Sequence, residues 1–187
     1  FFSLRNGRVT ARPMKGTRRA IGDLEALARE LRSSDKERAE NVMITDLLRN
    51  DLSRVCVPGS VVVPALCEVE RYPTVLQMTS TVEGTLAAGR DVWDLLNATF
   101  PPGSMTGAPK IEACHWLAQR EQGPRGLYSG CIGWVEPSGD ATFSVVIRTL
   151  QAWGDHARWD VGGGIVLDSD PAGEWEEAMT KALAIVA

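Results

Sequence analysis

Apolar and polar positions along the chain fall into short runs whose period changes several times. Phe1 to Leu4 and Val9 to Arg12 flank Asn6-Gly7, a dipeptide suited to the left-handed backbone of a two-residue turn, and predict a β-hairpin. From Asp23 to Leu31 apolar residues stand at 24, 27, 28 and 31, the spacing of one helix face. A longer helix is predicted from Asp35 to Leu52, with Ala39, Val42, Met43, Leu47 and Leu48 on its apolar side; Pro58-Gly59 stops it. Strands are expected at Ser60 to Val63, Cys67 to Arg71 and Val75 to Val82. Asp91 caps a predicted helix to Phe100, after which Pro101-Pro102-Gly103 should form a rigid, exposed turn. Pro109 suits the first turn of another helix, ending near Arg120. Leu127 to Val135, Thr142 to Leu150 and Arg158 to Val161 read as strands, with Pro137-Ser138-Gly139-Asp140 turning between the first two. Gly162-Gly163-Gly164 then interrupts, and a last helix is expected from near Pro171 to the C-terminus. Mixed hairpins and helices, with no tandem repeat or low-complexity linker, predict one α+β domain.

Composition narrows what such a domain does. With 44% hydrophobic and 24% charged residues in 187, the chain can bury a substantial core. No run approaches the roughly 18 uninterrupted apolar residues of a membrane span. A net charge of −4 argues against a general nucleic-acid surface, so anionic ligands need a local cluster of cations or a metal. Cys56, Cys67, Cys114 and Cys131 are widely spaced and distant from metal-type pairing with His115 or His156, as expected of reduced thiols in a cytoplasmic protein. The chain opens on Phe1-Phe2 without Met or a signal sequence and reads as a piece of a longer polypeptide.

Several residues have the chemistry of a site, although each also has a plainer reading. Glu37 and Glu40 share one helix face, and Glu174 and Glu177 repeat the spacing in the last helix. Two such pairs suit a hard cation such as magnesium; singly, either pair suits a solvated helix face. Gly162-Gly163-Gly164, before Asp168-Ser169, allows backbone to approach a ligand, or is simply a bulge; it matches no phosphate-loop pattern. Arg148, late in a predicted strand, is either a carboxylate fork or a solvent-facing edge residue. Lys15 lies between Pro13-Met14 and Gly16-Thr17.

Together these segments, in this order, resemble the catalytic part of the chorismate-utilising enzymes, a family that includes anthranilate synthase component I, aminodeoxychorismate synthase component I, isochorismate synthase and salicylate synthase. The most specific stretches are Lys36 to Asp51, Phe100 to Lys110 and Gly162 to Lys181, and the resemblance spans essentially the whole chain. It implies a four-layer α/β/β/α fold with two packed, mainly antiparallel sheets. Residues 1–187 would form the C-terminal part of a single catalytic domain.

The resemblance also implies roles. Magnesium would be held by Glu40 and Glu177, with Glu37 and Glu174 acting one turn earlier through water, and would bind the ring carboxylate of chorismate. Arg148, Lys181 and Tyr128 match positions that hold substrate carboxylates; Thr106, Gly107 and the backbone at Gly162, Gly163 and Gly164 would complete the pocket. Lys15 separates the reactions: relatives that make anthranilate carry alanine there, whereas aminodeoxychorismate synthases commonly carry lysine. Its amine would attack ring C2 and expel the C4 hydroxyl; ammonia would then attack C4 and expel the lysine. Gln77 stands where many relatives have a histidine linked to pyruvate elimination, which fits an enzyme that keeps the enolpyruvyl group.

The expected activity is therefore aminodeoxychorismate synthase, an amino-group transfer on the route to 4-aminobenzoate and folate. A glutamine amidotransferase, separate or fused, would supply ammonia, and neither nucleic acid nor membrane is an expected partner. The alternatives are anthranilate synthase component I and a non-catalytic fragment that binds chorismate or a partner. The family's general acid/base glutamate, in an S-P-E-R-F segment, would fall before Phe1, so the isolated 187 residues are expected to be inactive and to expose apolar surface.

Overall fold

The computed structural model describes residues 1–167 and 169–183. Two expectations, a site contribution beside Asp168 and a last helix reaching the C-terminus, fall partly outside that range.

The chain opens with the predicted hairpin, β1 (Phe2–Arg5) and β2 (Arg8–Ala11), turning on Asn6 and Gly7 at φ 49° and 76°. A strand that the sequence pattern does not announce, β3 (Met14–Arg19), follows directly. Helix α1 (Leu24–Ser33) is capped by Asp23, whose carboxylate accepts from the Glu25 and Ala26 amides; α2 (Asp35–Ser53) is capped by Ser34. Next come β4 (Val62–Arg71) and β5 (Val75–Thr85), then α3 (Val92–Thr99), which begins in a capping box built by Asp91 and Asp94. The remainder is α4 (Gly103–Thr106), α5 (Lys110–Arg120), β6 (Cys131–Val135), β7 (Ala141–Val145), the small pair β8 (Leu150–Trp153) and β9 (His156–Trp159), and α6 (Pro171–Leu183).

All the ladders are antiparallel. Across the main sheet the order is β4, β5, β2, β1, β7, β6, and β3 continues the line of β2 along the same edge of β5. The second sheet is the β8–β9 hairpin. Phe2, Leu4, Val9, Ala11 and Val82 project from the main sheet onto Leu52, Val55, Val92 and Leu95, joining it to α2 and α3 in one core. A second cluster packs Ala28 and Leu31 of α1 on Cys67, Leu76 and Met78.

Several expectations need correction. Ala39, Val42 and Met43 are exposed, and α2 instead buries Asn41, Ile44, Thr45, Asp51 and Leu52. The helix turns a polar side inward because that side is satisfied. The Ser80 hydroxyl donates to Asn41 Oδ1 at 2.5 Å, Asn41 Nδ2 donates to the Met78 carbonyl, and Thr45 Oγ1 donates to the Asn41 carbonyl at 2.8 Å. Removing one partner from such a network costs about 1–3 kcal/mol for the buried group left unpaired.

The two strands expected between Ser60 and Arg71 are one, β4, with register shifts flanking Ala65. Pro102 and Gly103 are buried rather than exposed: Gly103 starts α4 against Leu47, whose Cδ2 would lie 2.1 Å from a Cβ at that position. The strand expected at Thr142 to Leu150 splits into β7 and β8, and Arg148, exposed at φ 51°, lies in the joint rather than in a strand. Leu127 to Gly130 likewise turns, with Gly130 N–H donating to the Leu127 carbonyl, before β6 begins.

Candidate active site

The register of β3 against β5 slips between Met14 and Thr17, and Gly16 takes φ 83°. Such a bulge re-aims the side chain it carries. Here it directs Lys15 onto α2, where Nζ lies 3.6 Å from Glu40 Oε2, both side chains about four-fifths covered (22% and 19% exposed). One turn earlier on α2, Glu37 accepts from Arg18 Nη1 at 3.1 Å and packs against Gly16.

The three glycines meet three different candidate residues. A Cβ on Gly162 would lie 3.0 Å from the Tyr128 hydroxyl, one on Gly163 would lie 3.0 Å from Glu174 Oε2, and one on Gly164 would lie 3.3 Å from Lys15 Nζ. A side chain at any of the three would push its neighbour by a few tenths of an ångström without straining the backbone, since none has positive φ. Lys181 completes the arrangement, donating to the Gly162 carbonyl at 3.1 Å while pairing with Glu177 at 2.5 Å one helical turn away. The Lys181–Glu177 hydrogen bond, reinforced by the charges of Lys36 and Lys15, holds the Glu177 carboxyl below its ordinary pKa against the opposing effect of burial. Glu174 accepts from Ser169 Oγ at 2.6 Å.

Tyr128 also lines a cavity of about 490 Å³ with Thr106, Phe100, Pro101 and Arg125. Burial pushes its hydroxyl pKa up, while Arg125, 5.9 Å from the ring centre, acts in the other direction. Thr106 Oγ1 donates to the Pro102 carbonyl, and Gly107 ends α4 at φ 120°. Lys15, Glu174 and Lys181 therefore lie against the glycine triplet, Glu40 and Glu177 follow through their lysine partners, and Tyr128 joins the triplet to the cavity containing Thr106. Arg148 makes no side-chain hydrogen bond or ion pair among the described residues.

Two supporting side chains were not singled out from the sequence as site residues. Arg125 donates to Glu121, to the Met105 carbonyl at 2.9 Å and to Ser129 Oγ at 3.0 Å, fastening the loop that carries Tyr128. The i, i+4 spacing of Glu121 and Arg125 was its visible signal. Lys110 inserts between Asp51 Oδ2 at 2.5 Å and the Thr99 carbonyl at 2.7 Å, tying α5 to α2 and α3.

The carboxylates have the hard-oxygen chemistry that magnesium takes. Glu40 faces the Lys15 ammonium, whereas Glu177 is paired chiefly with Lys181. Among the described residues no three His, Cys, Asp or Glu side chains group closely enough to hold an ion alone. Carboxylate oxygens are still the donor type that magnesium takes, with its other ligands commonly drawn from water and substrate.

The family model of chorismate binding enzymes matches residues 1–187. The chain belongs to the chorismate-binding enzyme family. Within it, the chain is 45% identical over 181 residues to anthranilate synthase component 1 of Streptomyces coelicolor, covering 95% of this chain and 35% of that protein. It is also 45% identical over 184 residues to aminodeoxychorismate synthase component 1 of Klebsiella aerogenes, covering 97% and 41%. The crystal structure of anthranilate synthase component I from Streptococcus pneumoniae superposes with a TM-score of 0.86 at 35% identity, over 100% of this chain and 41% of that one. The α+β fold is thus that of the chorismate-utilising enzymes, and the chain spans well under half the length of these relatives. Among the described residues no helix is long and apolar enough to cross a membrane.

Proposed function

We propose that this chain belongs to an aminodeoxychorismate synthase component I, converting chorismate and ammonia to 4-amino-4-deoxychorismate. The observation that carries the reading is Lys15, an amine aimed by a strand bulge into the cluster around Glu40 and Gly164. Its nitrogen, once free of its extra proton, forms a bond to ring C2 as the double bond shifts and the C4 hydroxyl takes up a proton and leaves as water. Ammonia then bonds to C4, the double bond shifts back, and the lysine departs unchanged. Two displacements deliver nitrogen para to the ring carboxylate; direct attack at C2 gives the ortho product.

The remaining residues bind and orient. Tyr128, Lys181 and Arg148 supply donors for carboxylates, and the glycine backbone with Thr106 and Gly107 shapes the pocket. Magnesium, held by Glu40 and Glu177 with Glu37 and Glu174 behind them, would neutralise the ring carboxylate. A glutamine amidotransferase, as a subunit or fused domain, would supply ammonia.

The comparable identity to anthranilate synthase component 1 supports a second reading, direct amination at C2. Product analysis of the full-length protein with chorismate, magnesium and ammonia separates the two. Aminodeoxychorismate is the expected product, and anthranilate would reject the assignment. Calorimetry tests the ion: chorismate affinity should rise with magnesium, whereas affinity independent of magnesium would remove the metal role.

A further inference from the structure

The bulge that aims Lys15 is fastened by one side chain on the neighbouring strand. Met14 pairs with Thr79 and Thr17 with Gln77, and the residues between, Lys15 and Gly16, drop out of the ladder. A backbone carbonyl released in this way needs another donor. Gln77 supplies it: Nε2 donates to the Gly16 carbonyl at 2.8 Å, while Oε1 accepts from Thr17 Oγ1 at 2.8 Å. Both ends of one amide thus grip the two residues that follow Lys15.

The opposite side of the bulge is closed by helices. A Cβ on Gly16 would lie 3.0 Å from Glu37 Oε2 and 3.1 Å from Leu31 Cδ1, so the peptide has little room to relax toward α1 or α2. The strand bearing Gln77 is itself keyed to α2, because the Met78 carbonyl accepts from Asn41, the residue after Glu40. Strand β5 therefore fixes both members of the Lys15–Glu40 pair, one through Gln77 and the other through Asn41.

We propose that Gln77 is a positioning residue, setting the reach of Lys15 toward the substrate ring through the Gly16 carbonyl and the Thr17 hydroxyl. This rests on the reading of Lys15 as the nucleophile. The amide is suited to the task because it offers a donor and an acceptor at one reach. Glutamate would set a carboxylate against the Gly16 carbonyl, and leucine would offer neither partner a hydrogen bond.

The test compares wild-type full-length protein with Gln77→Leu, Gln77→Glu and Thr17→Val through two readouts. The first is the rate of chorismate-dependent adduct formation on Lys15 at saturating substrate, set beside chorismate affinity. The second, without substrate, is labelling of Lys15 by trinitrobenzenesulfonate, quantified by peptide mass spectrometry relative to Lys36.

Because misplacement by about 1 Å can cost up to about 100-fold in rate, Gln77→Leu should slow the adduct by about tenfold or more with affinity nearly unchanged. Its relative Lys15 labelling should shift as well. Gln77→Glu should behave alike and Thr17→Val more mildly. Folded Gln77→Leu protein with wild-type adduct and labelling rates would overturn the proposal. If Gln77→Leu does not fold, Thr17→Val, which keeps the side-chain shape, decides by the same two rates. If wild-type protein forms no adduct on Lys15, the nucleophile reading fails, and unchanged labelling in the variants would then reject positioning separately.

Discussion

Lys15 and Glu40 meet at 3.6 Å from two elements that the sequence separates by a turn and a helix. The lysine arrives on a bulged strand and the glutamate from the second turn of α2. Each partner keeps about a fifth of its side chain exposed, so water can still solvate either group when the other is removed. The pairing therefore matters for where it holds an amine, and Glu40→Gln should cost activity without unfolding the protein.

The glycine triplet gives a sharper separation of function from stability. Because none of the three has positive φ, a side chain there strains no backbone and acts only on what it meets. Gly162→Val and Gly164→Val should crowd Tyr128 and Lys15 respectively. Chorismate affinity should fall by about tenfold, near 1.4 kcal/mol, with little change in melting temperature. Calorimetry and thermal melts on the same samples check this.

Lys110 should show the reverse behaviour. Its ammonium is buried against Asp51, whose side chain is 4% exposed. Lys110→Met leaves that carboxylate without its partner, and losses of this kind run to about 3–5 kcal/mol. Adding Asp51→Leu should recover part of the loss. A double-mutant cycle by denaturant unfolding measures the coupling, and additive effects would contradict it.

The Lys181–Glu177 pair should make the glycine turn sensitive to acid. The Glu177 pKa is lowered in the folded chain, chiefly by the Lys181 hydrogen bond. Its stabilisation is therefore fully present above the ordinary glutamate value of about 4.3 and is lost as pH falls through the lowered one. In thermal melts from neutral pH downward, any stability gap between wild type and Glu177→Gln should close in acid. A gap that widens there would reverse the sign.

Much of this fold was legible because local signals and tertiary packing agreed. Asn6-Gly7 turns the hairpin, Leu27, Ala28 and Leu31 pack on the sheet, and Asp91 caps α3. The pattern failed where polar groups are buried. Asn41 faces inward because Ser80 and the Met78 carbonyl complete its hydrogen bonds, and Thr45 because it donates back to Asn41; apolar periodicity carries no trace of such partners. Strand β3 was hidden for a related reason: Met14-Lys15-Gly16-Thr17 lacks alternation because its bulge turns Lys15 toward α2. The candidate residues were nameable from motif order, but their meeting around three glycines depends on pairing between distant segments. Arg148 shows the limit, since its left-handed backbone arises from a break between β7 and β8 that a run of strand-forming residues concealed.

The central claim is that Lys15 forms a covalent bond to the substrate ring. Full-length protein should be mixed with chorismate and magnesium without ammonia, quenched in acid within milliseconds to seconds, digested and mapped by mass spectrometry. The account predicts an adduct of chorismate less one water on Lys15, absent from Lys15→Ala protein that still binds chorismate. An adduct that persists in Lys15→Ala, or one that maps to Lys36 or Lys110, would contradict it.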